Sequence, residues 1–386
     1  MKRIFSSILC LLTVFTSFSC TENEVKDDRI PVVVITDLYT PGQDPGDNFD
    51  ILTPYSLENI DLKAVVFDVS EMYRKDNPLD KIWREPGYIP VTQLNYLFDV
   101  DVPCGCAPFE VMRSEDDAKW DAPAFQTKGI DLLFEVLENS DRPVHIVSTG
   151  SCRPLAVAYN RNPELMCSDK VATVHICAGS SSDKFHEWNI VLDPIAAARV
   201  FRSGMNMAIY PCGIETGAET VGRHNTFWGL KDLTFILDMD PHLRNYSVYS
   251  ILSKDDIYYL NYLDVPLSAE DEEELRNYWR SSALGNRHHV WETAVWQQVA
   301  GLNLVTHPDG TASLLPSDQI KEGDVIFDEG LEYIDIDVRD DGIFYFEHSD
   351  EPTNVRLYYR SEPQENERLL NMALPRLYKS YKSNMR

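Results

Sequence analysis

The sequence predicts an α/β fold, a mostly parallel sheet with helices on both faces, followed by a more irregular α+β part. Two observations carry this. Short apolar, β-branched runs recur at residues 30–36, 62–67, 144–148, 172–177 and 207–211, too continuous for half-exposed strands and suited to strands buried on both faces. Between them, residues 129–137, 154–159 and 193–201 carry apolar residues at helical spacing. Alternating strands and helices imply a parallel sheet with helical cover, and such sheets bind ligands beyond the carboxyl ends of their strands.

The elements follow in order. The run at 30–36 is the first strand and ends directly in Asp37. Asp193 followed by Pro194 is a helix start, an N-cap with proline at the first helical position, and Gly204 is a fitting stop. From about residue 214 the pattern loosens. Residues 269–281 read as a charged, solvated helix, and 290–299 as an apolar one. Pro308, Asp309 and Gly310 form a turn, 333–338 and 342–346 alternate like strands, and 369–381 closes the chain as a helix.

Composition sets the outer limits. The chain has 386 residues, with 35 Lys and Arg against 62 Asp and Glu, for a net charge of −27. Its apolar content of 44% is too high for a disordered acidic chain and supports packed cores. So anionic a surface argues against nucleic acid as a partner.

The N-terminus reads as an export signal. Lys2 and Arg3 precede an apolar stretch, and small residues lead to Cys20. The pattern resembles a bacterial lipoprotein signal, cleaved before Cys20 and acylated there; an ordinary signal peptide with an incidental cysteine is the alternative. The expected division is residues 1–19 as signal, 20–29 as an acidic tether and 30–386 as one domain. The expected location is the outer membrane or cell surface, with the lipid as the sole membrane contact and a homo-oligomer left open. Cys177 and Cys212 sit in apolar runs and read as buried thiols. Cys104 and Cys106 lack the second pair that a zinc site needs.

The chemistry-bearing residues begin where the first strand ends. Asp37, Asp44, Asp47 and Asp50 fall within fourteen residues, and carboxylates at a strand's carboxyl end suit a hard cation. An Asp-rich turn capping a helix is the equal alternative. His175, in mid-strand, reads as a satisfied core histidine. Ser148 and Ser151 have no His/Asp partners in sequence and no nucleophile elbow, which gives acyl transfer no support there.

Asp37, then ProGlyGlnAsp44 and Asp47, resembles the aspartate fingerprint of the inosine/uridine-preferring nucleoside hydrolases. Three residues are inserted before Pro41, and ProGly separates the later aspartates. The segment Val147-Ser148-Thr149-Gly150, with Pro154 and Leu155, is similar to that family's strand–ThrGly–helix, and Glu187-Trp188-Asn189 to its Glu-aromatic-Asn. The resemblance runs over roughly residues 30 to 300.

It implies a calcium-dependent hydrolase of the N-glycosidic bond in a nucleoside or related N-ribosyl compound. Asp37 would be cation ligand and general base, Asp47 and Glu292 further ligands, and Thr149 a carbonyl ligand. Asp44, Asp68, Glu187, Trp188, Asn189 and Trp291 would hold the substrate. The sequence departs from the family where His-Asp usually opens a helix, since Trp291 and Glu292 stand there. Trp291 then stacks on the leaving base or packs in the core, and His288 or His289 could supply the acid instead. The competing functions are hydrolysis of another glycoside on the same fold, or capture of a nucleoside or sugar without cleavage.

Overall fold

The structure is a computed structural model that describes residues 28–40, 45–69, 85–281 and 288–385. The predicted signal and most of the tether lie outside the described residues, as does Asp44. Among the described residues no helix is long and apolar enough to cross a membrane.

Fourteen strands run in chain order among the described residues. The first six are β1 Ile30–Thr36, β2 Ile60–Phe67, β3 Cys104–Cys106, β4 Val144–Ser148, β5 Val171–Ile176 and β6 Met207–Ile209. Then come β7 Trp228–Leu230, β8 His288–Val290, β9 Leu302–Thr306, β10 Ala312–Pro316 and β11 Val325–Ile326. The last three are β12 Glu329–Val338, β13 Phe344–His348 and β14 Val355–Arg360. Nine of them form one sheet in the order β13-β12-β14-β6-β5-β4-β1-β2-β3. From β3 to β14 every neighbouring pair is parallel, and β12 and β13 add an antiparallel edge.

β1 shows why its sequence is an unbroken apolar run. Val32 and Val34 enter the core on one face, Val33 and Ile35 the core on the other. One face is covered by helices Lys128–Asn139, Arg153–Arg161 and Pro194–Phe201 through Leu133, Leu155 and Val200. The other is covered by helices Pro45–Ser56, Pro241–Ile251, Thr293–Ala300 and Pro363–Ser380 through Phe49, Leu243, Val295 and Leu374. Asp193 caps its helix as expected, accepting the Ala196 N–H at 3.1 Å.

One expectation is corrected. The helix expected at 290–299 begins at Thr293, because His288–Val290 pairs antiparallel with β7. The C-terminal part is α+β as expected, and its strand β14 pairs parallel with β6 and continues the main sheet. β3 was not anticipated: it is three residues, Cys-Gly-Cys, without the β-branched signature that marks longer strands. Cys104, Cys106, Cys152, Cys167, Cys177 and Cys212 are free thiols.

Candidate active site

The parallel strands deliver the predicted residues to one end of the sheet. Asp37 leaves β1 nearly buried, at 7% exposure. The Thr149 N–H reaches back to the Ile35 carbonyl at 2.9 Å, so the loop after β4 lies against the end of β1. Gly150 permits that approach, since a Cβ there would meet Asp68 Oδ2 at 2.8 Å and Asp37 Cβ at 3.2 Å. Asp47 lies in the first turn of helix Pro45–Ser56, with the buried Asp50 one turn on. A carboxylate in a first helical turn gains from the exposed N–H groups there.

Glu187 and Asn189 form the opposite side. Glu187 caps helix Trp188–Leu192, accepting the Asn189 N–H at 2.9 Å through Oε1 and the Gly179 N–H at 2.8 Å through Oε2. Gly179 has φ of +89°, which turns its N–H to the carboxylate at little cost for glycine alone. Asn189 Nδ2 donates to the Cys177 carbonyl at 2.9 Å and the Thr149 carbonyl at 3.3 Å. Two carbonyl acceptors fix the amide orientation, so Oδ1 is the atom left for a hydroxyl. Trp188, between them in sequence, is 48% exposed.

The electrostatics of this end are strongly negative. Burial pushes the Glu187 carboxyl up to about 7, and the Glu292 carboxylate adds to the rise against the N–H groups that oppose it. Glu292 is itself buried, at the N-cap of helix Thr293–Ala300, and accepts the Trp291 N–H at 3.1 Å. Burial pushes the Cys177 thiol up, and Glu292, Asp50 and Glu187 push it further. All three carboxylates thus act on the thiol that follows β5.

Asp68 is a correction. Its carboxylate is fully buried, with Oδ1 taking Arg153 at 2.7 Å and Oδ2 taking the Ser151 N–H at 2.6 Å. An acid so enclosed does not face a sugar; it fixes the loop that carries Thr149. Arg153 is equally buried, lies 3.6 Å from Asp193 and donates to the Pro108 carbonyl at 2.7 Å. Sequence reasoning missed this group, although one sign was available. A cation in the first turn of a helix opposes the helix dipole, which points to a carboxylate partner elsewhere.

His288 stacks on Tyr278, and burial pushes it down to about 4, which favours its neutral form near pH 7. Trp291 is half-buried between Phe227 and His289, with its indole N–H donated to the Ala218 carbonyl at 3.1 Å. His175 is a core histidine as read, bonded to His145 and Tyr210, each at 3.0 Å.

The expected cation ligands are hard oxygens, carboxylates with one backbone carbonyl, which suits calcium in kind. The backbone at Gly150 lies against Asp37, and the Thr149 carbonyl accepts Asn189 Nδ2 at 3.3 Å. Among the described residues, however, no three His, Cys, Asp or Glu side chains form a metal-holding group by themselves, and the turn bearing Asp44 lies outside those residues.

Residues 97–244 match the model of the inosine-uridine preferring nucleoside hydrolase family. The pyrimidine-specific ribonucleoside hydrolase RihA of Enterobacter sp. (strain 638) is 39% identical over 80 residues, 20% of this chain and 25% of that protein. Its counterpart from Salmonella newport (strain SL254) is 36% identical over 94 residues, 22% of this chain and 30% of that protein. The chain thus matches between a quarter and a third of the length of these curated relatives. The solved purine-preferring ribonucleoside hydrolase from Gardnerella vaginalis superposes with a TM-score of 0.50 at 10% identity, covering 90% of this chain and 99% of its own. That likeness is one of fold. The match to the inosine-uridine preferring nucleoside hydrolases covers the segment 97–244, less than half of the chain, and that segment holds Thr149, Glu187 and Asn189.

Proposed function

We propose that this protein is a calcium-dependent hydrolase of the N-glycosidic bond in a nucleoside or related N-ribosyl compound. The observation that supports it best is the buried set Glu187–Asn189–Thr149, anchored to backbone atoms beside Asp37 at the carboxyl end of the sheet. Such a set can hold a sugar rigidly. Cleavage of the C–N bond passes through a state with positive charge on the sugar ring, and buried carboxylates stabilise that charge more than water does.

The residues divide the work. Asn189 Oδ1 and the remaining lone pairs of Glu187 accept from the sugar hydroxyls. Asp37 accepts the proton of the attacking water, and the field of Glu187 and Glu292 opposes the growing ring charge. Asp37, Asp47, Glu292 and the Thr149 carbonyl would hold the cation, with Asp44 on the sugar. When bound, calcium supplies positive charge that makes water more acidic and gathers vicinal hydroxyls. In the same reading the protein is exported and anchored through acylated Cys20 at the outer membrane or cell surface.

The test is a panel of purine and pyrimidine ribonucleosides, assayed for free base and ribose with calcium and with a chelator. Release that needs calcium and falls about 10²–10⁴-fold in Asp37→Ala is expected, the range for loss of a general base. No release from any member, or turnover retained in Asp37→Ala, would overturn the mechanism.

A further inference from the structure

The small sheet β10-β9-β11 holds a second set of reactive groups, in residues the proposed glycosidase does not use. His307 directly follows β9. Its Nδ1 meets Asp324 Oδ1 at 2.8 Å, and its Nε2 meets Ser313 Oγ at 2.9 Å. A carboxylate only accepts, so Nδ1 carries the proton and Nε2 is the acceptor facing the serine hydroxyl. That is the nucleophile–base–orienter geometry of serine hydrolases, recognised by arrangement rather than by order in sequence.

Each member is held in place. The Lys321 N–H donates to Asp324 Oδ2 at 2.9 Å, and this contact with that to His307 keeps the carboxyl below its ordinary range. The turn after β9 is closed by the His307 N–H to the Thr311 carbonyl and the Gly310 N–H to the His307 carbonyl, both at 2.8 Å. Ser313 is half-buried on β10, the edge strand, and lines a cleft of about 890 Å³ together with Leu57, Phe98, Leu315 and Arg376.

Register supplies a place for developing negative charge. The Phe327 N–H bonds the Leu304 carbonyl, so the peptide groups of Leu304 face β11 and those of Val305 face its partner Ser313. The peptide groups of Ala312 and Leu314 consequently lie on the open edge of β10. The Ala312 carbonyl confirms the direction by accepting Arg376 at 3.1 Å. The Leu314 N–H follows the serine directly, which is where acyl hydrolases place one oxyanion donor.

We propose that Ser313, His307 and Asp324 form a second hydrolytic centre, which cleaves carboxylic esters whose apolar part lies along Leu57, Phe98 and Leu315. In the first step a bond forms between Ser313 Oγ and the ester carbonyl carbon while Nε2 takes the hydroxyl proton. The carbon–oxygen bond to the alcohol then breaks, and that proton passes to the departing oxygen. A solvent water, deprotonated by the same Nε2, attacks the acyl-serine, releases the acid and restores the hydroxyl. This centre stands apart from the N-glycoside reading, and neither needs the other.

The full chain is treated with a fluorophosphonate and, separately, with p-nitrophenyl butyrate. Peptide mass spectrometry should find one phosphonyl group on Ser313. Butyrate release should be lost in Ser313→Ala and fall about 10²-fold or more in His307→Ala. The wild-type result decides by itself and depends on no variant folding. An unlabelled Ser313 in the folded protein overturns the proposal, leaving the three residues as a hydrogen-bonded brace. Labelling of Ser313 at the same rate in His307→Ala overturns it equally.

Discussion

The carboxylate site has two sides built by different means. On one, Glu187 and Asn189 direct their polar atoms at backbone groups of the adjacent strand ends, Gly179, Cys177 and Thr149, and the Asp68–Arg153–Asp193 group stands behind them. On the other, the proposed ligands Asp37 and Asp47 come from consecutive elements, the end of β1 and the helix after it, and Glu292 from the N-cap of a helix far along the chain. The first side, apart from Asp68, falls inside the segment that matches the hydrolase family, and the second falls outside it. Backbone partners are supplied by the fold itself, so the first side is complete without a ligand. In the proposed reading the second side is completed by a cation, which would offset the repulsion between its carboxylates.

The strongest way to break this contrast is to remove the support behind the first side. Arg153→Met leaves Asp68 and Asp193 buried without their guanidinium, and a broken buried ion pair costs about 3–5 kcal/mol. Chemical denaturation should show that loss, with part of it recovered in the double variant Asp68→Asn/Arg153→Met. A single variant that unfolds at the wild-type midpoint would mean that the rigidity of this side comes from elsewhere.

A second, smaller effect sharpens the electrostatic half of the contrast. The Glu187 carboxyl stands at about 7, against an ordinary value of 4.5. Between those two pH values the folded protein keeps a proton that the unfolded chain has released. Stability should therefore fall as pH rises from about 4.5 to about 7, by on the order of 3 kcal/mol at about 1.36 kcal/mol per unit. Glu187→Gln should flatten that slope, as measured by denaturation across the range without calcium. Calcium bound beside the carboxylates should flatten it in the wild type as well. An unchanged slope in Glu187→Gln would assign the pH dependence to other groups.

These two tests also mark where the sequence was readable. The strand ends at Asp37, Thr149 and Glu187 could be placed because apolar runs and the Asp193-Pro194 helix start are local signals, and a parallel sheet gathers its strand ends at one edge. Asp68 was placed at the right strand end but given the wrong task. Its partner Arg153 is 85 residues away, and no local pattern reports a pair at that distance. The Ser313–His307–Asp324 set was invisible for the same reason, since it depends on the register of β9, β10 and β11. The helix was read from Val290 because the apolar residues there suit both periods, and pairing with β7 assigns Val290 to a strand.

The smallest expected effect bears on Trp291, which stands next to Glu292 on the second side. Its indole N–H holds the Ala218 carbonyl, and its ring packs on Phe227 with centroids 5.5 Å apart. Trp291→Phe keeps most of the ring contact and deletes the hydrogen bond, which should lower stability by about 1 kcal/mol. If the ring only braces the loop around Ala218, KM for a hydrolysed nucleoside will not change beyond that loss. If it also stacks on the leaving base, KM should rise several-fold while kcat holds, because the interaction is made equally in the ground and transition states. Measuring stability and the two kinetic constants on one variant separates these roles. A fall in kcat alone would contradict both, and would place Trp291 in the departure of the base.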